Sequence, residues 1–298
     1  MDRRGPALSR AAPIGVPDAS SSRARRERVR AYAALSPAIA VILVLFGGAL
    51  AGAAKTSIVP LSGDGLGHAT LETWRALLHD PAFWEAARFS LRVALLATLL
   101  SVGAAVAIAL TVRGRGTTLR ALVALPVPVP HLLVAVVAVL WLAPGGLADR
   151  LLGGLPFDLV RDRAGIGIVL VYVYKETPFL VLLLLAAMGR AMREREEATA
   201  VLGASPAQRL RWVIWPAVRG PLVVGGIVVA AFAMGAFDVP LAVGPNSPLT
   251  LAEYAQQATQ NDLLAGEGLQ AAALLVTAAV SIVLALAAVP FAKDAQGG

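Results

Sequence analysis

The residues able to do chemistry in this sequence are few, and they stand against an apolar background. Lys175-Glu176-Thr177-Pro178 sets two opposite charges side by side inside a hydrophobic run, and Asp238 precedes Pro240 in another. A charge at the centre of a bilayer costs at least roughly 2.5 kcal/mol on insertion scales, so such a residue faces a cavity or a partner. Adjacent residues on a helix point about 100° apart, so Lys175 and Glu176 need not pair with each other. Lys175, Glu176 and Asp238 are therefore the candidates for lining a translocation path. The competing reading starts the span near Thr177 and leaves 175 and 176 in the headgroup zone; Asp238 could equally end its helix. Catalysis finds no residues to work with. Cys is absent, and His68, His79 and His131 are far apart, with no metal-ligand spacing. No Gly-x-x-x-x-Gly-Lys-Ser/Thr loop is present to cradle phosphates, so energy for any transport must come from a partner or an ion gradient.

The largest polar interruption in the second half of the chain is the stretch 190–219. It carries six arginines (190, 193, 195, 209, 211 and 219) against three glutamates, Glu194, Glu196 and Glu197. Residues 193–202 hold strong helix formers and no Gly or Pro. Gly203 stands where a helix needs a left-handed C-terminal residue. Ser205 can then cap a new helix, Pro206 suits its first position, and Gln208 can close a capping box. Pro216 and Pro221 punctuate the way out. These signals predict two short helices at an angle, a compact knob offered to a partner protein.

The elements that must position these residues are membrane helices. Of the 298 residues, 57% are hydrophobic and 15% charged, with a mean hydropathy of +0.72; a soluble chain carries roughly 25% charged residues. A span needs roughly 20 apolar residues, and six runs qualify: 31–54, 86–112, 119–143, 166–188, 220–244 and 269–291. With the N-terminus inside, 18 Lys and Arg fall in or beside the cytoplasmic segments and five in the outer ones. That asymmetry puts both termini and 190–219 in the cytoplasm. The net charge of +7 then reflects arginines on one side of a bilayer rather than a nucleic-acid partner. The fold class is all-α, a polytopic transmembrane helix bundle.

Smaller features fill in the plan. Residues 1–30 read as a flexible tail with a basic end beside the membrane. The run 31–54 is too long for a typical signal-peptide core of roughly 7–15 residues and reads as an uncleaved first span. Residues 71–83 suit an interfacial helix, with Trp74, Phe83 and Trp84 at headgroup level. A second short helix is expected over 249–260. Ser101, Gly103, Ala104 and Ala107, and Gly225, Gly226 and Gly235, allow close helix approach. Pro126, Pro128 and Pro130 break or bend the third span, which is tolerable in a membrane only where protein or a water-filled cavity satisfies the freed carbonyls.

The 190–219 stretch also resembles the EAA loop of ABC importer membrane subunits. Glu197, Ala198, Gly203 and Pro216 fall at the spacing of that pattern, while Thr199, Val213 and Trp215 depart from it. The resemblance covers about 86–291 and implies a MetI-like ABC importer permease, with 31–54 as an added first helix. The organisation it implies is a tail (1–30), a first helix with its outer loop (31–85), the permease domain (86–292) and a short cytoplasmic tail (293–298). It assigns Glu197, Ala198, Gly203 and Pro216 to docking on a separate ATP-binding subunit, which supplies the ATP chemistry. This chain is then non-catalytic and binds no cofactor. The other implied partners are a second permease subunit, identical or homologous, an extracytoplasmic solute-binding protein and the lipid bilayer. The stretches 126–139 and 235–244 look most similar to permeases of the polyamine, phosphonate and iron group, with sugar permeases second.

A gradient-driven carrier or channel is the alternative, and it has no use for such a knob. The charge asymmetry makes the topology testable in this Cys-free chain. Single cysteines at 80 and 262 are expected to react with an impermeant maleimide on intact cells, and one at 197 only after the membrane is opened. Labelling of 197 from outside would overturn the orientation.

Overall fold

The computed structural model describes residues 19–59, 68–154, 158–262 and 265–294. It falls into two units, Met1–Ala51 and Gly52–Gly298. In the first, the described residues belong to helix α1, Ala19–Ile58, whose last turns lie in the second unit. The basic stretch expected as a loose tail is helical from Ala19 onward. From 19 to 36 the chain has no Gly or Pro, and Ala, Arg and Glu favour helix. Residues 1–18, and the tail expectation for them, lie outside the described residues.

The second unit has helices as its regular elements, with no strand among its described residues. Its elements are α2 (Glu72–His79), α3 (Pro81–Val112), α4 (Thr117–Ala124), α5 (His131–Leu142), α6 (Leu147–Leu152), α7 (Ile166–Ala187), α8 (Arg190–Val201), α9 (Pro206–Arg209), α10 (Trp215–Gly235), α11 (Asp238–Val243), α12 (Leu251–Asn261) and α13 (Ala265–Asp294). Six helical stretches are long and apolar enough to cross a membrane: Tyr32–Ile58, Pro81–Val112, His131–Leu152, Ile166–Ala187, Pro206–Gly235 and Gly266–Phe291.

Two expected spans are redrawn. The third does not run over 119–143. Helix α4 stops at Ala124, residues 125–130 turn, and α5 starts afresh at His131. Three alternate prolines withhold their donors, so the α-helical ladder cannot pass. The fifth begins earlier and ends earlier than 220–244. Leu210–Ile214 forms a π-helical turn that joins α9 to α10, so the chain stays helical through Pro216 and Pro221. It then ends at Gly235, and 238–243 forms the separate α11. Single π turns of this kind occur inside otherwise α-helical stretches.

Helices α3, α7 and α10 form the centre. Their contacts divide into one core cluster around Phe89, Ile168, Tyr172 and Val239 and another around Leu180, Leu184, Ile214 and Val218. The buried face of α3 runs through Ala94, Ala97, Ser101, Ala105 and Ala109, three or four residues apart. Of the small residues expected to matter on this helix, Ser101 is on that face, while Gly103 and Ala107 point away. Gly225 of α10 does require its hydrogen, because a Cβ there would lie 2.6 and 2.7 Å from the Leu183 and Leu180 methyls of α7.

The segment before α3 joins this core. Asp80 caps α3 by accepting from Ala82 N (2.9 Å), with Pro81 in the first turn. Phe83, expected at headgroup level, turns inward and is 2% exposed. It meets Tyr254 of α12 edge-on at 5.9 Å between ring centroids. The Tyr254 hydroxyl donates to Asp80 Oδ2 (2.6 Å); burial first, then this bond and the Asp80 charge, push its phenol up. Helix α12 carries the capping box its sequence allows, with Thr250 and Glu253 bonded reciprocally, and Leu251 N donates to Ser90 Oγ of α3 (2.8 Å).

Candidate functional site

The stretch 190–219 folds by its local chemistry. Helix α8 ends in a Schellman turn: Gly203 N donates to Ala200 O (3.0 Å) and Ala204 N to Thr199 O (3.0 Å). Gly203 takes φ +86°, a left-handed value that other residues reach only with strain, although nothing would lie within 4 Å of a Cβ there. Ser205 and Gln208 close the capping box, with bonds of 3.3 and 2.8 Å. The second half of the knob is thus the start of a long helix rather than a free short one. The turn is open to its surroundings, with Val201 88% and Leu202 85% exposed.

The four residues of the expected docking pattern lie around this turn. Ala198 and Pro216 line a groove of about 970 Å³ that also borders Met192, Trp212 and Arg219. Gly203 lines a smaller hollow of about 370 Å³ with Leu202 and Trp212. Glu197 opens on a third, of about 460 Å³, with Arg113, Arg120 and Arg193. The glutamate that pairs here is its neighbour. Glu196 takes both guanidinium nitrogens of Arg113 (2.9 and 3.0 Å) and stands 3.7 Å from Arg209. Sequence reasoning missed this pair, since 83 residues separate its members and nothing local marks it.

The intramembrane charges form a second constellation. Lys175 Nζ donates to three carbonyls of the proline break, Pro126 O (2.8 Å), Val127 O (3.1 Å) and Val129 O (2.6 Å), and the residue is 5% exposed. It supplies the donors that the turn at 125–130 lacks, as the bilayer requires. Glu176 faces the other side of the break: its Oε1 lies 2.8 Å from His131 Nε2 at the first residue of α5. The His131 ring packs on Phe232 of α10 at 4.7 Å, and Phe232 meets Tyr172 edge-on at 6.1 Å. The Tyr172 hydroxyl is buried and makes no hydrogen bond among the described residues. Of the three charges singled out from sequence, Glu176 is held at His131, Lys175 is engaged by backbone oxygens, and Asp238 opens α11. Burial pushes the Glu253 carboxyl up, against the lowering effect of its bonds from Thr250. Among the described residues no cluster of metal-ligating side chains occurs.

A family model described as the inner membrane component of binding-protein-dependent transport systems matches residues 97–294. The chain belongs to that family. The match covers the second half of α3 and every element from α4 to α13, so it includes both the knob and the intramembrane charges. Among relatives, the inner membrane ABC transporter permease protein YnjC of Escherichia coli K12 is 32% identical over 212 residues, which is 65% of this chain and 38% of that protein. The thiamine transport system permease protein ThiP of Brucella abortus is 32% identical over 150 residues, 48% of this chain and 27% of ThiP. The trehalose transport system permease protein SugA of Mycobacterium tuberculosis is 30% identical over 177 residues, 56% of each chain. The aligned region thus spans between about a quarter and just over half of these relatives' lengths. A crystal structure of a bacterial ABC transporter that imports the acidic polysaccharide alginate shares the fold, with a TM-score of 0.71 at 17% identity over 92% of this chain and 98% of that one. A crystal structure of a bacterial alginate ABC transporter in complex with an alginate pentasaccharide-bound periplasmic protein gives 0.68 at 18% identity, over 88% of this chain and 93% of that one. With its six apolar helices, this permease is a multi-pass inner membrane protein.

The contacts of Lys175 set an expectation for its removal. Lys175→Met would leave the Val127 and Val129 carbonyls without their donor and Pro126 O with only Val129 N at 3.2 Å, and an unsatisfied buried polar group costs about 1–3 kcal/mol. Lower membrane abundance and a melting temperature reduced by several degrees in detergent are expected, with Lys175→Arg partly restoring both. Normal abundance and melting, with transport alone lost, would return Lys175 to the translocation path.

Proposed function

We propose that this chain is the permease subunit of an ATP-driven importer, and that 190–219 is its docking element for a separate ATP-binding subunit. The observation that carries this reading is the knob itself. A left-handed glycine turns the chain where two apolar residues, Val201 and Leu202, stand almost fully exposed. Exposed apolar side chains beside a groove on an otherwise arginine-rich surface suit a protein partner. Both termini and the knob lie on the cytoplasmic side, where ATP is. The chain itself is non-catalytic and holds no cofactor; ATP belongs to the partner. A second permease subunit, identical or homologous, completes the path, and an extracytoplasmic binding protein delivers the solute.

The solute is small and polar. The sequence cues favour the polyamine, phosphonate and iron group. The named relatives, which include thiamine and trehalose permeases, give sugars equal standing. Glu176, held at the His131 ring that packs on Phe232, and Asp238 at the start of α11 are the residues of this chain best suited to meet the solute, with Lys175 shaping the wall at the proline break. The gradient-driven alternative gains no support, because the family works with binding proteins.

Gly203→Asp tests the docking element. A non-glycine residue in the left-handed region costs roughly 1 kcal/mol, and its carboxylate would project from the turn into the partner. The variant is expected to reach the membrane normally, to lose most co-purifying ATPase and to abolish ATP-driven uptake into vesicles. Glu197→Ala is expected to be milder, since an exposed charge contributes well under about 1 kcal/mol. Full ATPase retention and full uptake by Gly203→Asp would remove this loop as the docking element.

A further inference from the structure

Helix α8 is thinly attached to the bundle. Met192 is the one residue it buries among those whose side chains are described. Its polar attachment is concentrated at Glu196, whose two carboxylate oxygens meet the two terminal nitrogens of Arg113 at 2.9 and 3.0 Å. A two-pronged carboxylate–guanidinium contact fixes orientation as well as distance. Arg113 is the C-cap residue of α3, the helix that packs along both α7 and α10. Its carbonyl accepts from Arg120 Nη2 of α4 (2.7 Å), and α4 leads directly into the proline break held by Lys175. Arg209, on the far side of the Gly203 turn, stands 3.7 Å from Glu196. One carboxylate thus touches both halves of the knob and the end of a membrane helix.

We propose that Glu196 is the joint through which displacement of the 190–219 knob reaches α3 and α4. This rests on the knob being the ATPase docking element. Glu196 is a positioning residue in this role: it touches neither solute nor nucleotide, and its neighbour Glu197 and the exposed turn are left to face the partner. The pair sits half-buried, with side-chain exposures of 15% for Glu196 and 29% for Arg113, so it is shielded from water without being sealed by a partner. A reciprocal charge exchange reads the energetic coupling between the two ends of this contact directly.

The experiment uses the whole importer in lipid nanodiscs, with the permease variants E196R, R113E, E196Q and the double exchange R113E/E196R. The readouts are ATPase retained per permease and stimulation of ATP hydrolysis by the binding protein as purified from the periplasm. Each single reversal is expected to keep the ATPase bound but to reduce stimulation about tenfold, because like charges then oppose each other. The double exchange is expected to recover at least about half of the wild-type stimulation, and E196Q to fall between. Wild-type stimulation in either single reversal would overturn the proposal. So would singles that keep the ATPase while the double exchange recovers nothing. If the singles lose the ATPase, Glu196 belongs to the docking surface and the joint is likewise overturned. A wild-type permease that retains no ATPase would instead sink the docking assignment itself.

Discussion

Backbone carbonyls cannot be left without donors inside a bilayer, and the proline-rich turn at 125–130 creates several at once. Lys175 answers that demand with one ammonium group shared among three oxygens. The cost of placing a charge at this depth is offset because the charge replaces the missing N–H donors. Glu176, one residue on, reaches His131 on the far side of the same break. Two adjacent residues of α7 thus fix both ends of an interruption in the preceding span. A smooth helix there would need neither charge, and the wall beside Tyr172 and Phe232 would have a different shape.

At the other place where the chain departs from straight helices, the means are different. The knob is held by local chemistry: a glycine at φ +86°, a Schellman turn and a capping box. None of these consumes the exposed side chains, so Val201, Leu202 and Glu197 stay free to meet another surface. Attachment to the membrane helices falls to Arg113–Glu196 and to Met192 among the described side chains. A short, internally rigid element on a narrow attachment suits a part that is pushed by one body and must move another.

Features set by nearby residues could be read from the sequence. Apolar runs marked the spans, because bilayer thickness imposes their length. The Gly203 turn and the Ser205–Gln208 box followed from residues three or four apart. The prolines showed that the third span was disturbed, and the need to satisfy its carbonyls was plain. That Lys175 meets this need was not legible, since 46 to 49 residues lie between them. The same holds for Arg113 and Glu196, and for the inward turn of Phe83 toward Tyr254. The packed face of α3 was misplaced because Ala and Gly occur on several sides of that helix, and composition cannot choose among them. The continuous helix from α9 through α10 was hidden by Pro216 and Pro221, which ordinarily signal a stop; a π turn ahead of Pro216 lets the helix go on.

The claim that the exposed turn of the knob receives an ATP-binding subunit is tested most directly by trapping the contact. The chain has no cysteine, so Leu202→Cys provides a single reactive site at the tip. A maleimide–benzophenone reagent attached to this cysteine in native membranes and photoactivated, so that its ketone inserts into a nearby C–H bond, should join this position to the ATP-binding subunit, identified by mass spectrometry. Asn246→Cys, at the opposite end of the bundle, should give no such product. An ATP-binding subunit that is present in the membranes yet never captured at 202, or is captured at 246 instead, would contradict it.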